Sequence, residues 1–192
     1  MKDFAVYDDE SAEKVKYFSN LEGLLCAGVQ LKKLDVSKNS ELTHLYCNDC
    51  QLTKLDVSNN SKLMILCCNS NQLTNLDVSK NSRLIELQCV QNQLKQLNVS
   101  KNTKLSTLVC DRNQLEKLDV SRNTKLISLS CNKNQLKNLD LKKNTRLQLV
   151  SCEDNQITKL SLSKNKELLS IRCDQSVKVS GTVKGCMVQT RN

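Results

Sequence analysis

The chain has 192 residues and a formal net charge of +9, with 39% hydrophobic and only 3% aromatic residues. That length suits one domain, and no run is long or apolar enough to cross a membrane. The first residues, MKDFAVYDDE, carry no apolar segment of the signal-peptide kind. Proline is absent and the four glycines (Gly23, Gly28, Gly181 and Gly185) lie towards the ends, so the long middle must turn on Asn, Asp and Ser.

Residues 1–20 hold Phe4, Tyr7, Tyr17 and Phe18, four of the five aromatics. The stretch DDESAEKVKYFSNLEGL reads as a short helix with acidic residues near its start. It then leads into the first of a series of repeats and covers their open apolar end.

From Leu21 to Ser176 the chain repeats itself every 21 residues, in eight copies without an insertion, the last one partial. Such a period decides the architecture before any single residue does. The pattern is LxxLxCxxNQLxxLDVSxNxx. Its first half alternates like a short half-buried strand, with positions 4 and 6 apolar and 3, 5 and 7 variable. The LDVS half alternates too, with Leu118 and Val120 directed inward and Asp119 and Ser121 outward. Each repeat is therefore one coil of a solenoid. Six apolar side chains cannot offset the entropy of fixing a whole coil, so only stacked coils are stable.

These residues resemble the leucine-rich-repeat family, and within it the short cysteine-ladder repeats of internalin J-like surface proteins of Gram-positive bacteria. The resemblance implies a mostly β solenoid with a parallel sheet on its concave face, short extended segments on its convex face, and capped ends. It also implies that the asparagines of the NQL segment (Asn71, Asn92, Asn113, Asn134 and Asn155) satisfy backbone groups where the chain bends. A second column, from Asn39 to Asn165, is suited to the same work. The first column's slot holds Val29 and Cys50 in the first two repeats and Ser176 in the last.

The eleven cysteines are an odd number spaced wrongly for a disulfide framework. Eight of them (Cys26, Cys47, Cys68, Cys89, Cys110, Cys131, Cys152 and Cys173) occupy an inward slot where the family more often has leucine. There a thiol serves as a small hydrophobe. Coils stack about 4.8 Å apart, so the thiols form a row, and a row does not converge on a tetrahedral metal. The ladder is expected to pack rather than react, with Cys67, outside the series, the first thiol open to reagent.

After the repeats, VKVSGTVKGCMV alternates around Ser180-Gly181 and reads as a terminal hairpin or an added strand, making 177–192 a C-terminal cap.

The outward positions of the sheet are free to carry recognition. The apolar N-terminal part, with its neighbours, gives the candidate contact residues His44, Tyr46, Ile65, Cys67, Glu86, Gln88, Val90 and Val109. Charge divides by face: residues 1–20 carry −2, the strand halves −4, the LxxLDVSxNxx halves +12 and the tail +3. Columns such as Lys80, Lys101, Arg122 and Lys143, and Arg83, Lys104, Lys125 and Arg146, keep a solvated face soluble or meet a polyanion. Asp35, Asp56, Asp77, Asp119 and Asp140 lie between them and offset part of that charge. With Tyr46 the only aromatic within the repeats, base stacking is poorly supported, and nucleic acid is not expected as a partner.

A single histidine, His44, lies about 7 Å diagonally from Cys67, too far for a hydrogen bond. No third group orients the pair and no phosphate loop or metal cluster appears, so no catalysis, cofactor or metal is expected. The family resemblance implies a monomeric surface or secreted module that binds a protein or glycan through its concave sheet. The free thiols also suit a reducing cytoplasm. An architectural spacer within a larger surface protein, and a polyanion-binding module using the basic back, are the alternatives.

Overall fold

The computed structural model describes every residue except Met1, Ala27, Lys32, 182–184 and Asn192. The recurring half-buried segment becomes a three-residue strand in each coil, because its central leucine points in and its flanks point out. The strands are β1 (Asp3–Ala5), β2 (Gly23–Leu25), β3 (His44–Tyr46), β4 (Ile65–Cys67), β5 (Glu86–Gln88), β6 (Thr107–Val109), β7 (Ser128–Ser130), β8 (Leu149–Ser151), β9 (Lys159–Ser161), β10 (Ser170–Asp174), β11 (Lys178–Ser180) and β12 (Met187–Arg191). Ten of them form one parallel sheet in the order β1 to β8, then β10 and β12. The register advances one repeat per strand, so Leu45 lies beside Leu24 and Leu66, and Leu108 beside Leu87 and Leu129. A parallel neighbour needs a long return path, and the 21-residue coil supplies it. β9 and β11 pair in a second, two-stranded sheet on the opposite side.

Inside, the six apolar slots of each coil form continuous columns. Leu105, Leu108, Cys110, Leu115 and Val120 are fully buried, and the eight ladder cysteines all have 0% exposure. Stacking thus places sulfur beside sulfur in a dry row. All eleven cysteines are free.

Buried side-chain amides close the corners. Asn113 Nδ2 donates to the Cys89 carbonyl of the preceding coil (2.9 Å) and to Cys110 O of its own (3.1 Å), while its Oδ1 accepts from Leu94 N–H (3.1 Å). Asn123 Nδ2, in the second column, donates to Val99 O (3.0 Å) and Asn102 O (2.9 Å). The Oδ1 atoms of this second column accept no hydrogen bond from described groups, so its work is done by the two donors. At Cys50 the first column changes element. The Cys50 thiol donates to Cys26 O (2.8 Å) and Asn48 O (3.2 Å), two of the carbonyl positions that an asparagine amide reaches in the next coil.

One turn feature escaped the sequence reading. The residue before the NQL asparagine sits in the left-handed region in successive coils: Gly28, Asp49, Ser70, Gln91, Arg112, Lys133 and Asp154 have φ from 53° to 69°. Only the first is glycine. The position costs each side chain roughly 1 kcal/mol, and the neighbouring coil over-determines it: Gln91 N–H donates to Asp111 O and Arg112 N–H to Asn132 O (both 2.9 Å).

Both ends imitate coils. α1 (Asp9–Lys14) begins with a capping box, Asp8 accepting from Ser11 N–H and Ser11 Oγ from Asp8 N–H. A 3-10 turn, Val15–Tyr17, follows. The carbonyls of Val15 and Phe18 accept from Asn39 Nδ2 (2.9 Å each), so the cap presents the same two acceptors that one coil presents to the next. At the other end the tail is not a hairpin: β11 and β12 go to different sheets, because an incomplete last coil still contributes one segment to each side. Residues 182–184 of that tail, like Ala27, lie outside the described residues. The chain leaves β11 through Gly181, at φ 74°, where a Cβ would lie 2.7 Å from Ser163 N.

Burial sets the chemistry of the thiols. Desolvation raises the pKa of Cys89 to about 12; Cys26 and Cys152 also reach about 12, again through burial first and neighbouring groups second. Cys67, expected to be open, is 5% exposed and pushed to about 11. Its register neighbours Tyr46 and Gln88 flank it on the outer face. The one cysteine that is not buried is Cys186.

Restoring the column by Cys50→Asn should raise the unfolding free energy by about 1 kcal/mol, whereas Asn123→Ala should lower it by roughly 1–3 kcal/mol; denaturant titration reads both. In the native protein Cys186 alone should react with an aromatic disulfide reagent, Cys67 staying silent with the other buried thiols, and all eleven should react in denaturant. A raised folded pKa gives stability that is complete below the unfolded value of 9.0 and is lost as pH climbs towards 12. The denaturation midpoint should therefore fall above pH 9, and a flat midpoint between pH 9 and 11 would contradict the buried ladder.

Candidate functional site

The outer face of the ten-stranded sheet is where the repeat leaves residues free. Two columns project from it. One runs Asp3, Gly23, His44, Ile65, Glu86, Thr107, Ser128, Leu149, and the other Ala5, Leu25, Tyr46, Cys67, Gln88, Val109, Ser130, Ser151. His44, Tyr46, Ile65, Glu86, Gln88 and Val109 are all half-buried on strands β3 to β6. The structure thus brings these candidates onto one continuous surface, with Val90 at the margin and Cys67 sunk between its neighbours.

That surface is hollowed at its N-terminal edge. A groove of about 600 Å³, mostly apolar, is bordered by Asp3, Ala5, Gly23, Leu25, His44 and Tyr46. Gly23 forms the notch: with no side chain of its own, it lets the Asp3 carboxylate lie over it, where a Cβ would come within 2.2 Å of Oδ1. Leu25 is half exposed on the rim. The sequence reading missed β1, because three residues of DFA carry no visible alternation. With β1 went the outer wall of the groove and the acidic group that the wall supplies.

The third outward column behaves differently from expectation. Positions 7 of successive coils were expected to be free for recognition, but most cap the next strand. Asn48 Oδ1 accepts from Asn69 N–H (2.8 Å), Asn69 Oδ1 from Val90 N–H (2.8 Å), and Asn132 Oδ1 from Glu153 N–H (2.7 Å). Asp111 accepts from Ser130 Oγ and from Asn132 N–H. Burial nevertheless raises its pKa, with those hydrogen bonds opposing. Val90 cannot accept, so the ladder breaks there. Backbone N–H groups leaving a strand need an acceptor, and a polar side chain one coil back is the nearest one.

His44 Nδ1 is 2.8 Å from Thr43 Oγ1, whose hydroxyl donates to Glu22 O. In register His44 lies beside Gly23 and Ile65, not Cys67. Among the described residues no group of three His, Cys, Asp or Glu could hold a metal ion, and no helix is long and apolar enough to span a membrane. What the face offers is shape and apolar area at one end, grading into Ser128, Ser130 and Ser151 further along.

No protein-family model matches the chain, and no curated protein matches its sequence. Solved structures do. The functional domain of InlJ from Listeria monocytogenes, described as including a cysteine ladder, superposes with a TM-score of 0.83 and 34% identity, over 87% of this chain and 41% of that one. An internalin C2 from Listeria monocytogenes gives a TM-score of 0.73 at 22% identity, over 90% of this chain and 78% of the other. The Leptospira interrogans leucine-rich-repeat protein LIC12759 gives 0.77 at 17%, over 99% and 62%. The chain thus spans 41% of the InlJ domain it matches, and the latter two likenesses concern the fold alone. Parallel strands in register, an unbroken 21-residue period and a buried sulfur row leave one reading of the architecture: the chain is a leucine-rich-repeat solenoid with a cysteine ladder, similar to internalin J.

Proposed function

We propose that the chain is a non-enzymatic binding module that captures a protein or glycan partner on the outer face of its parallel sheet. The observation that carries this reading is the apolar groove at the N-terminal edge, with Leu25 half exposed on its rim and Tyr46 and Ile65 continuing the surface. Exposed apolar area next to a concavity is where binding energy concentrates, since aromatic and aliphatic anchors lose water on contact. The half-buried Glu86 and Gln88 form a polar border, with Gln88 Nε2 donating to Glu86 Oε1, as a recognition rim requires.

Likeness to internalin J supports a surface or secreted setting, and the capped solenoid supports a monomer. Among the described residues of this face no nucleophile, base and orienting group stand together, which supports binding without chemistry. If the face were only a spacer's surface, changing it would alter nothing.

The test is a triple variant, Leu25→Ser with Tyr46→Ser and Ile65→Ser, compared with the parent chain on arrays of surface proteins and glycans. Ligands held by the parent should be lost, by roughly 2 kcal/mol or more per anchor removed, while thermal unfolding stays cooperative. Retention of every parent ligand by the variant would remove the sheet face from consideration.

A further inference from the structure

A different surface carries its own inference. In each coil the LDVS segment returns to the sheet through two consecutive β-turns hinged on a buried asparagine. Asn102 N–H donates to Val99 O and Leu105 N–H to Asn102 O; the next coil repeats this with Asn123 on Val120 and Leu126 on Asn123. In the central coils the third residue of each turn is a cation: Lys101 and Lys104, then Arg122 and Lys125, then Lys143 and Arg146. All six are exposed, and none is ion-paired to another described residue.

Three features make this corner more than a solvated face. The asparagine amides tie each corner to the one before, Asn144 Nδ2 donating to Val120 O and Asn123 O (2.9 Å each), so the cations stand on a rigid frame and binding need not order it. Two positive charges recur in four successive coils, from Lys80 and Arg83 to Lys143 and Arg146, about 4.8 Å apart along the axis. The aspartates offset only part of that charge: Asp119, whose Oδ1 accepts from Ser121 N–H (2.9 Å) and whose carboxylate Arg122 helps to stabilise, brings one negative charge against the two cations of its turns. One coil back that place is held by Asn98, which accepts from Ser100 N–H (3.0 Å) and brings no charge beside Lys101.

We propose that this double row binds a flexible linear phosphate polymer laid along the solenoid axis, independently of the sheet face. A line of cations on a convex corner meets one chain along its length, whereas a rigid duplex curves away from it. No aromatic side chain within the described coils stands at the corner to stack bases. Affinity is then set by release of counterions and falls steeply with salt.

Long-chain inorganic polyphosphate is the probe, titrated by calorimetry across a salt series. Replacing Lys101, Lys104, Arg122 and Lys125 by Gln should weaken binding by roughly 10- to 100-fold and flatten the salt slope. The same number of cations removed elsewhere, at Lys33, Lys54, Lys117 and Lys159, should change affinity far less, and both proteins should unfold like the parent. The triple serine variant of the sheet face should bind polyphosphate as the parent does; its losing polyphosphate would place the site on that face and overturn the assignment. Absence of polyphosphate binding at low salt, or equal loss in both Gln variants, overturns it as well. Duplex DNA bound as tightly as polyphosphate would overturn the preference for a flexible chain.

Discussion

A buried amide that hydrogen-bonds to the previous turn of chain is the interaction on which this molecule depends. Each asparagine of the second column places two N–H donors against two carbonyls of the preceding coil, as Asn81 does with Val57 O and Asn60 O. Those carbonyls also accept the N–H groups of their own turn, Val57 O from Asn60 and Asn60 O from Leu63, so the amide fills the second acceptor site of each away from water, and losing it removes two buried hydrogen bonds at once. Because each amide reaches back one coil, neighbouring coils are coupled pairwise, and stability grows with stacking rather than with any local element. The N-terminal cap joins this chain of couplings by offering Val15 O and Phe18 O to Asn39.

The sulfur ladder follows from the same constraint. Once corners fix the coil spacing, the inward slot beside each strand has a set volume, and a thiol fills it without asking for a strong partner. Burial then makes ionisation costly, which is why the pKa of Cys89 and Cys152 climbs towards 12. Redox or metal chemistry needs a thiolate or convergent ligands, and the row provides neither geometry. Where the amide is missing, at Cys50, a thiol instead takes over part of its hydrogen bonding.

With the frame fixed, function belongs to what the frame exposes. The sheet face grades from apolar to polar along the axis, and the corner presents charge at the coil spacing. These are separate surfaces on one rigid rod. A partner on one need not exclude a partner on the other, since no described element moves to join them.

The amino-acid sequence by itself determined the solenoid, its period, the inward thiols and the outward variable columns. A pattern repeated over eight coils averages away the ambiguity of any single three-residue strand. It also marked the α1 cap, because Asp8 and the acidic turn after it are local signals. Only the tertiary structure decided that DFA is a strand, that Asp3 overlies Gly23, that the outward-pointing Cys67 is buried between neighbours, and that Asn69 and Asn132 cap the next coil instead of meeting solvent. It also showed that Asp119 is bound to its own turn. Each of these rests on a contact between coils or across an end, where the partner lies some 20 residues away and no local pattern records it.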